Sequence, residues 1–408
     1  MVRDKKLTIL YKIHTFTGGA PRSLLAFANI MKRKGHTVIA MGEDGPVKAA
    51  WEKAGIRVLD SVKYNRKHPL RKYLNELKTR SFIKLNSVDL VHAATIDEAF
   101  FLRPLIKKPI LLTIAGGEGP DEGSLLLNDL PIVAFSKECI DELKKNFPDY
   151  SGPIVLRKER LEIDKIDELG KEAYDIPQTL GTVILHTSRL DNEKVESVVY
   201  SIEAYCKLIQ RGVRATLLIL GGGVRAAEIE NLAKERNTAN DNCRIITIGS
   251  LKNPFPIYKK ADIILGMGRS VWEGMVFGKP AIVVGRNGSA GIVSPENYKE
   301  HIEFNFAGRN LPIRVPPEKL ADELSELVED PSLMDNYGKF SSKLVRKEYD
   351  VNSISDDLED MYYEVSEKRI TGMEKTRIAF LSLLKYVEVT VRWLKNKSLT
   401  KSAKVTEK

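Results

Sequence analysis

Cysteine is scarce in this chain: three residues, Cys139, Cys206 and Cys243, in 408, far apart. That number and spacing exclude a disulfide framework and a metal knuckle, and suit buried thiols of a reducing compartment. Long apolar runs are missing too. Nothing approaches the roughly 18 uninterrupted apolar residues that suggest a membrane span. The opening residues, MVRDKKLTILYKIHTF, lack the apolar core and cleavage site of a secretion signal, so a cytoplasmic protein is expected. No solenoid-period repeat and no low-complexity tract occur. A basic face broad enough for nucleic acid is lacking as well. The net charge is +9, but residues 369–408 hold ten Lys/Arg against three Glu, which leaves the body nearly neutral.

What is present is an ordinary globular composition, 43% hydrophobic and 29% charged, in a chain long enough for two domains. Short β-rich runs alternate with helix-period runs. KLTILYKI, HTVIAMG, VDLVHAA, PILLTIAGG and LPIVAFS read as strands in the first half, joined by segments such as SLLAFANIMKRKG. A charged stretch over 158–181 precedes a second series, TVILHTSRL, ATLLILGGG, RIITIGS, ADIILGMG and PAIVVGR. Such runs separated by helical patterns indicate parallel strands with crossover helices, and two series indicate two doubly wound domains. Ligands in such sheets bind at the carboxyl ends of strands, where the glycines collect here. From about residue 345 the chain reads as one helix, VRKEYDVNSISDDLEDMYYEVSEK. The segment 377–395 then places Phe380, Leu383, Leu384, Val387, Val391 and Leu394 on one helical stripe among basic residues. Such a helix suits an acidic membrane surface or a docking face, and residues 63–84, with eight bases and one acid, suit the same surface or a solvated helix.

Several stretches carry chemistry. In HTSRLDNEKV, Arg189 and Lys194 flank a turn that opens a helix, a place for a diphosphate; Asp191 or Asn192 is a ready N-cap there. Gly221–Gly223, centred on Gly222, allow close backbone approach between a strand and a helix, and Gly18-Gly19 do the same near the N-terminus. The spacing is not that of a dinucleotide-binding fingerprint. In GMGRSVWEG, Gly268, Arg269, Ser270 and Glu273 lie at the entrance of a helix, and Ser270 with Glu273 also spells a capping box. His92 ends a strand, and Glu118 stands in the glycine-rich GGEGP.

Together TGGAPRSLLAFANIMKRKGHTV, HTSRLDNEKV, ATLLILGGG, YKKADIILGMG and WEGMVFGKPAIVVG resemble, in order and approximate spacing, the retaining glycosyltransferases of GT-B fold, over about residues 7–365. The resemblance implies two Rossmann-like domains facing a central cleft, plus a C-terminal helical extension. The domains would be an acceptor domain over 1–175 and a nucleotide-sugar domain over 176–345. A helix over 346–368 would return to the first domain, and 369–408 would form a basic amphipathic tail. It implies that Arg189 and Lys194 bind the donor diphosphate and stabilise the departing charge. Gly18, Gly19, Gly222, Gly268, Arg269, Ser270 and Glu273 then surround the donor, with Glu273 on the ribose, and His92 and Glu118 lie toward sugar or acceptor. No metal and no cofactor beyond the nucleotide diphosphate sugar substrate is implied. The sequence departs from the family at Leu265, where a first glutamate is usual, and at Ala115, where histidine is common. The expected activity is retaining hexosyl transfer to a glycan or lipid-linked acceptor in cell-surface polysaccharide or glycoconjugate synthesis. The expected place is the cytoplasm, at the inner face of the membrane, with acidic lipid rather than nucleic acid as the surface partner. The departures keep two alternatives open: a catalytically silent relative that binds a nucleotide sugar or a partner enzyme, and a nucleotide-sugar epimerase.

Overall fold

The computed structural model describes residues 5–61, 69–115, 129–158 and 160–368. Glu118, residues 63–68 of the first basic stretch and the whole basic tail lie outside the described residues. The chain divides into two compact units, residues 1–159 with 354–408, and residues 160–353.

In chain order the first unit contains β1 (Thr8–Thr15), α1 (Gly19–Arg33), β2 (Thr37–Glu43), α2 (Lys48–Lys53), β3 (Arg57–Asp60), α3 (Pro69–Leu85), β4 (Leu90–Ala93), α4 (Ile96–Leu102), β5 (Ile110–Ile114), β6 (Ile132–Ala134), α5 (Lys137–Asn146) and β7 (Ile154–Leu156). The seven strands form one parallel sheet in the order β3-β2-β1-β4-β5-β6-β7. The order reverses between β1 and β4. Strands buried on both faces need apolar runs, and TILYKIHT supplies one interrupted by a single buried lysine, Lys12. Helix α4 starts where the Thr95 hydroxyl accepts from the Glu98 N–H, an N-cap typical of threonine.

The second unit contains α6 (Ile163–Leu169), β8 (Thr182–Thr187), α7 (Val195–Gln210), β9 (Ala215–Leu220), α8 (Ala226–Ala239), β10 (Ile245–Gly249), α9 (Phe255–Lys260), β11 (Ile263–Gly266), α10 (Arg269–Val276), β12 (Ala281–Gly285), β13 (Gly288–Ile292), α11 (Tyr298–Glu303), α12 (Pro317–Glu329) and α13 (Pro331–Tyr349). Its six-stranded sheet runs β10-β9-β8-β11-β12-β13, with the reversal between β8 and β11. Two apolar layers cover it, one around Tyr200, Tyr205 and Leu208 of α7, the other around Trp272, Tyr349 and Phe306.

Three expectations are corrected. The second sheet is not wholly parallel, because β13 returns antiparallel to β12 through a tight turn. The charged stretch read as a connection is partly helical: Leu161, Ile163 and Ile166 sit in the core of the second unit, which moves the division from 175 back to 159. The single helix expected from residue 345 is broken. Helix α13 ends at Tyr349, a 3-10 turn spans Val351–Ile354, and α14 (Ser355–Glu367) belongs to the first unit. There the Tyr362 hydroxyl is 2.6 Å from that of Tyr11 and 2.5 Å from His92 Nδ1, while Lys34 reaches Asp356 at 2.6 Å and Glu359 at 2.9 Å. Among the described residues no helix is long and apolar enough to cross a membrane.

Candidate functional site

In an open parallel sheet, two neighbouring strands whose crossovers go to opposite sides leave a crevice at their carboxyl ends. In the second unit that place lies between β8 and β11, and three loops meet there. The β8–α7 loop carries Arg189 to Lys194, the β9–α8 loop carries Gly221–Gly223, and the β11–α10 loop carries Met267 and Gly268.

The loops are knitted by their backbones. Leu190 N–H donates to the Gly222 carbonyl at 3.0 Å, and Arg225 N–H donates to the Leu190 carbonyl at 2.9 Å. A Cβ at Gly221 or Gly223 would overlap the carbonyls of Ser188 or Leu190, so the triplet is required for loop packing in itself. Asp191 closes the turn: its Oδ1 accepts from the N–H of Glu193 at 3.1 Å and of Lys194 at 3.0 Å. Of the two N-cap candidates it is thus Asp191 that holds the turn, and Lys194 stands at the cap position of α7.

Lys194 is the electrostatic focus. Its ammonium reaches across the crevice to the thioether of Met267 at 2.8 Å, a weak acceptor, and forms no ion pair with a described carboxylate. Burial holds its pKa below the usual lysine value, and the guanidinium groups of Arg189 and Arg309 depress it further against Glu193 and Asp191. A half-buried cation flanked by two more creates a demand for an anion. Arg189 is half exposed and turns toward Asp191 at 2.8 Å and Glu193 at 3.2 Å. Arg309 was not singled out from the sequence. The loop that bears it turns through left-handed Asn305 and Phe306, both at φ 53°, and the Phe306 carbonyl accepts from Gly268 N–H at 2.8 Å. Two non-glycine residues held in that region mark a constrained loop, which no motif announces.

At α10 the capping-box reading is corrected. The N-cap is Gly268, at φ 57°, with no side-chain cap. Ser270 is already helical and donates to the Met267 carbonyl at 3.0 Å. Glu273 is only 4% exposed, and its Oε1 accepts from Arg269 Nε at 2.9 Å. Arg269 also donates to the Arg160 carbonyl at 3.3 Å, so it is anchored inward beside Glu273. Leu265, where the family has its first glutamate, is a fully buried core residue on β11.

In the first unit the corresponding crevice lies between β1 and β4. Gly18, at φ 87°, caps α1, and open space surrounds Gly18 and Gly19. His92 takes no part in an open site. It is fully buried, with Nδ1 on Tyr362 at 2.5 Å and Nε2 on Thr113 at 2.6 Å, and burial pushes its pKa down to about 3. At the end of β1 the sequence reading missed a second group. Buried Lys12 lies 3.0 Å from Glu98 and 3.3 Å from Glu76, and His14 Nδ1 lies 3.3 Å from the other Glu98 oxygen. Burial alone would lower the Lys12 pKa, but Glu98 and Glu76 reverse that and hold it above its ordinary value. A charged residue inside the apolar run KLTILYKIHT was the available signal. Among the described residues no cluster of His, Cys, Asp and Glu forms a metal site.

Residues 181–330 match the family model described as glycosyl transferases group 1. A solved glycosyltransferase from Rickettsia africae is 20% identical, with a TM-score of 0.70 over 89% of this chain and 100% of its own. HepE of Anabaena, solved with UDP and glucose, is 16% identical, with a TM-score of 0.64 over 88% and 99%. The pneumococcal O-GlcNAc transferase GtfA, solved with UDP and GlcNAc, is 11% identical, with a TM-score of 0.58 over 89% and 100%. No curated protein matches the chain. At these identities the solved structures establish the architecture, which is GT-B; the group 1 match is carried by the second unit.

Proposed function

We propose, from the group 1 match and from Lys194, that the protein is a glycosyltransferase whose second unit binds a nucleotide diphosphate sugar. The half-buried Lys194 ammonium, crowded by Arg189 and Arg309, is the observation that carries the reading. A diphosphate placed there gains charge-assisted hydrogen bonds, and the charge that develops as it leaves is stabilised by groups already in position. Glu273, braced by Arg269, is assigned to the ribose hydroxyls, and the Gly222 and Gly268 turns let backbone approach the nucleotide. Transfer with retention to a glycan or lipid-linked acceptor, in cell-surface glycan synthesis, is the finer reading that the family resemblance supports. Basic residues 63–84 and 369–408 support work at an acidic inner membrane surface.

Nucleoside diphosphate release over a panel of UDP-, GDP- and dTDP-sugars tests this. Lys194→Ala should lower kcat by roughly 10²–10³-fold, the range for removing one oriented charge-stabilising donor. The product anomer, read by NMR, decides retention. Vesicle co-sedimentation should require phosphatidylglycerol and be lost without residues 369–408; equal binding to neutral vesicles counts against the surface role. Leu265, apolar where the family has glutamate, favours a second reading, a silent relative that binds donor without turnover. Tight UDP-sugar binding with no release from any donor would select it.

A further inference from the structure

We propose that the cavity at the amino ends of β1, β2 and β3 is a binding site for a small phosphate monoester that carries hydroxyl groups. The inference concerns the first unit alone and does not depend on the transferase reading.

In a parallel sheet every strand starts at one edge and ends at the other. Thr8, Thr37 and Arg57 open β1, β2 and β3, so the cavity they line lies at the edge opposite the crevice between β1 and β4. The length of β1 separates the two edges, about 25 Å at the usual rise per residue. A ligand here is therefore distinct from one seated in that crevice. The cavity measures about 360 Å³, within the ordinary range of small-molecule sites and roomy enough for a sugar phosphate.

Its wall carries two cations and no carboxylate. Lys32, in the last turn of α1, donates from Nζ to the Ala54 carbonyl at 2.6 Å and to the Gly55 carbonyl at 2.8 Å. An ammonium has three donors, so these bonds fix its position and leave one N–H over. Arg57 follows two residues after Gly55, with its guanidinium carbon 5.7 Å from the centre of the Phe82 ring. That contact steadies the guanidinium without spending its donors. Neither cation has an ion-pair partner among the described residues. Capping of α2 accounts for Lys32 alone; it does not account for a second cation beside it with its donors free.

The titratable neighbours are already engaged. His36, also on the wall, has Nδ1 accepting from Leu7 N–H at 3.0 Å and Nε2 2.9 Å from Glu359. Asp89 accepts the Thr8 N–H, but Lys5 holds it at 3.1 Å and it is not part of the wall. Positive charge thus stands in a concave site beside buried Val38 and Ile39, an arrangement that concentrates anions. A guanidinium next to an ammonium matches a doubly charged phosphate better than a single carboxylate. Asn86 donates to the Phe82 carbonyl at 2.9 Å, which leaves its own amide oxygen to accept from a ligand hydroxyl.

Calorimetry on the full chain, with glucose 6-phosphate, glucose and inorganic phosphate as probes, tests the assignment. Glucose 6-phosphate should bind once per chain with a sub-millimolar Kd, and glucose should give no heat. Inorganic phosphate, which lacks the hydroxyls, should bind at least roughly threefold more weakly. Arg57→Glu and Lys32→Met should each weaken glucose 6-phosphate by about tenfold or more, the loss of one charge-assisted hydrogen bond. Arg57 makes no hydrogen bond within the fold, so Arg57→Glu should keep its melting temperature and separate binding from folding. Lys53→Met, at an exposed lysine of α2 outside the cavity, should leave Kd unchanged. Lys194→Ala, in the second unit, distinguishes this site from the proposed diphosphate site and should also leave Kd unchanged. Undiminished binding in Arg57→Glu, binding lost in Lys194→Ala, equal affinity for inorganic phosphate, or no binding of glucose 6-phosphate at millimolar concentration each overturns the inference, and each leaves the transferase reading standing.

Discussion

Arg309 and Leu265 show how single positions shape the site. The Arg309 charge helps to depress the Lys194 pKa, so Arg309→Ala should raise it toward the usual lysine value and, on the proposed function, weaken UDP binding by about tenfold at low salt, less at high salt. Calorimetry at two ionic strengths checks this; equal affinity in both proteins would remove Arg309 from the proposed diphosphate site. Leu265 is enclosed by apolar neighbours, so restoring a family-like carboxylate by Leu265→Glu should destabilise the second unit by about 3 kcal/mol or more. A normal melting temperature for that variant would show that this strand end can open to solvent. The residue scale is also where sequence reading succeeded least evenly. Arg189 and Lys194 stand out in the sequence as cations at a strand-to-helix turn, and the structure places both on the β8–α7 loop. Arg309 was not legible, because no motif marks it; its loop follows the left-handed residues Asn305 and Phe306, far along the chain from Lys194. His92 was open to either a functional or a structural reading from its strand end, and Tyr362, 270 residues later, supplies the partner that makes it a core histidine.

Among the elements, α10 and α14 carry the clearest lessons. The sequence around α10 contained a valid capping box, but the entrance glycine took the cap, which freed Glu273 to turn inward to Arg269. The succession of strands and the two Rossmann-like halves were legible because buried parallel strands must be apolar runs between helices, whereas their order within each sheet was not. The break after Tyr349 was not, since helical periodicity continues on both sides of a 3-10 turn that serves only the change of unit. Helix α14 is held by more than apolar packing. Its Tyr362 hydroxyl touches Tyr11 and His92 inside the first unit. Tyr362→Phe should cost about 1–3 kcal/mol, because it leaves a buried histidine nitrogen without its partner, and Tyr362→Ala about 3–5 kcal/mol. Urea unfolding gives both values, and a Phe variant as stable as wild type would show that the hydroxyl is dispensable.

At the scale of the whole molecule, buried neutral histidines in both units predict one acid response. Burial lowers His92 and His186 to about 3 and His301 to about 4. In the unfolded chain they titrate near 6.5, so between the two limits the unfolded state binds more protons and stability rises with pH. Stability should therefore fall as pH drops from about 6.5 toward 4, by up to about 1.4 kcal/mol per pH unit for each group. Thermal melts from pH 8 to 4 check it, with His186→Asn expected to flatten the slope; a profile level down to pH 4.5 would contradict it.

The second unit enters and leaves the chain at one seam. Leu161 and Asp350 form a parallel bridge, Leu161 N–H donates to the Tyr349 carbonyl at 2.8 Å, and Val351 N–H donates to the Leu161 carbonyl at 3.0 Å. Entry and exit are thus stitched side by side within the unit itself, while the helix that completes the first unit comes only afterwards. In engineering terms residues 160–353 are a cassette: exchanged as a block for a relative's, they should, on the proposed function, carry nucleotide preference with them and leave the host sheet its own closing helix.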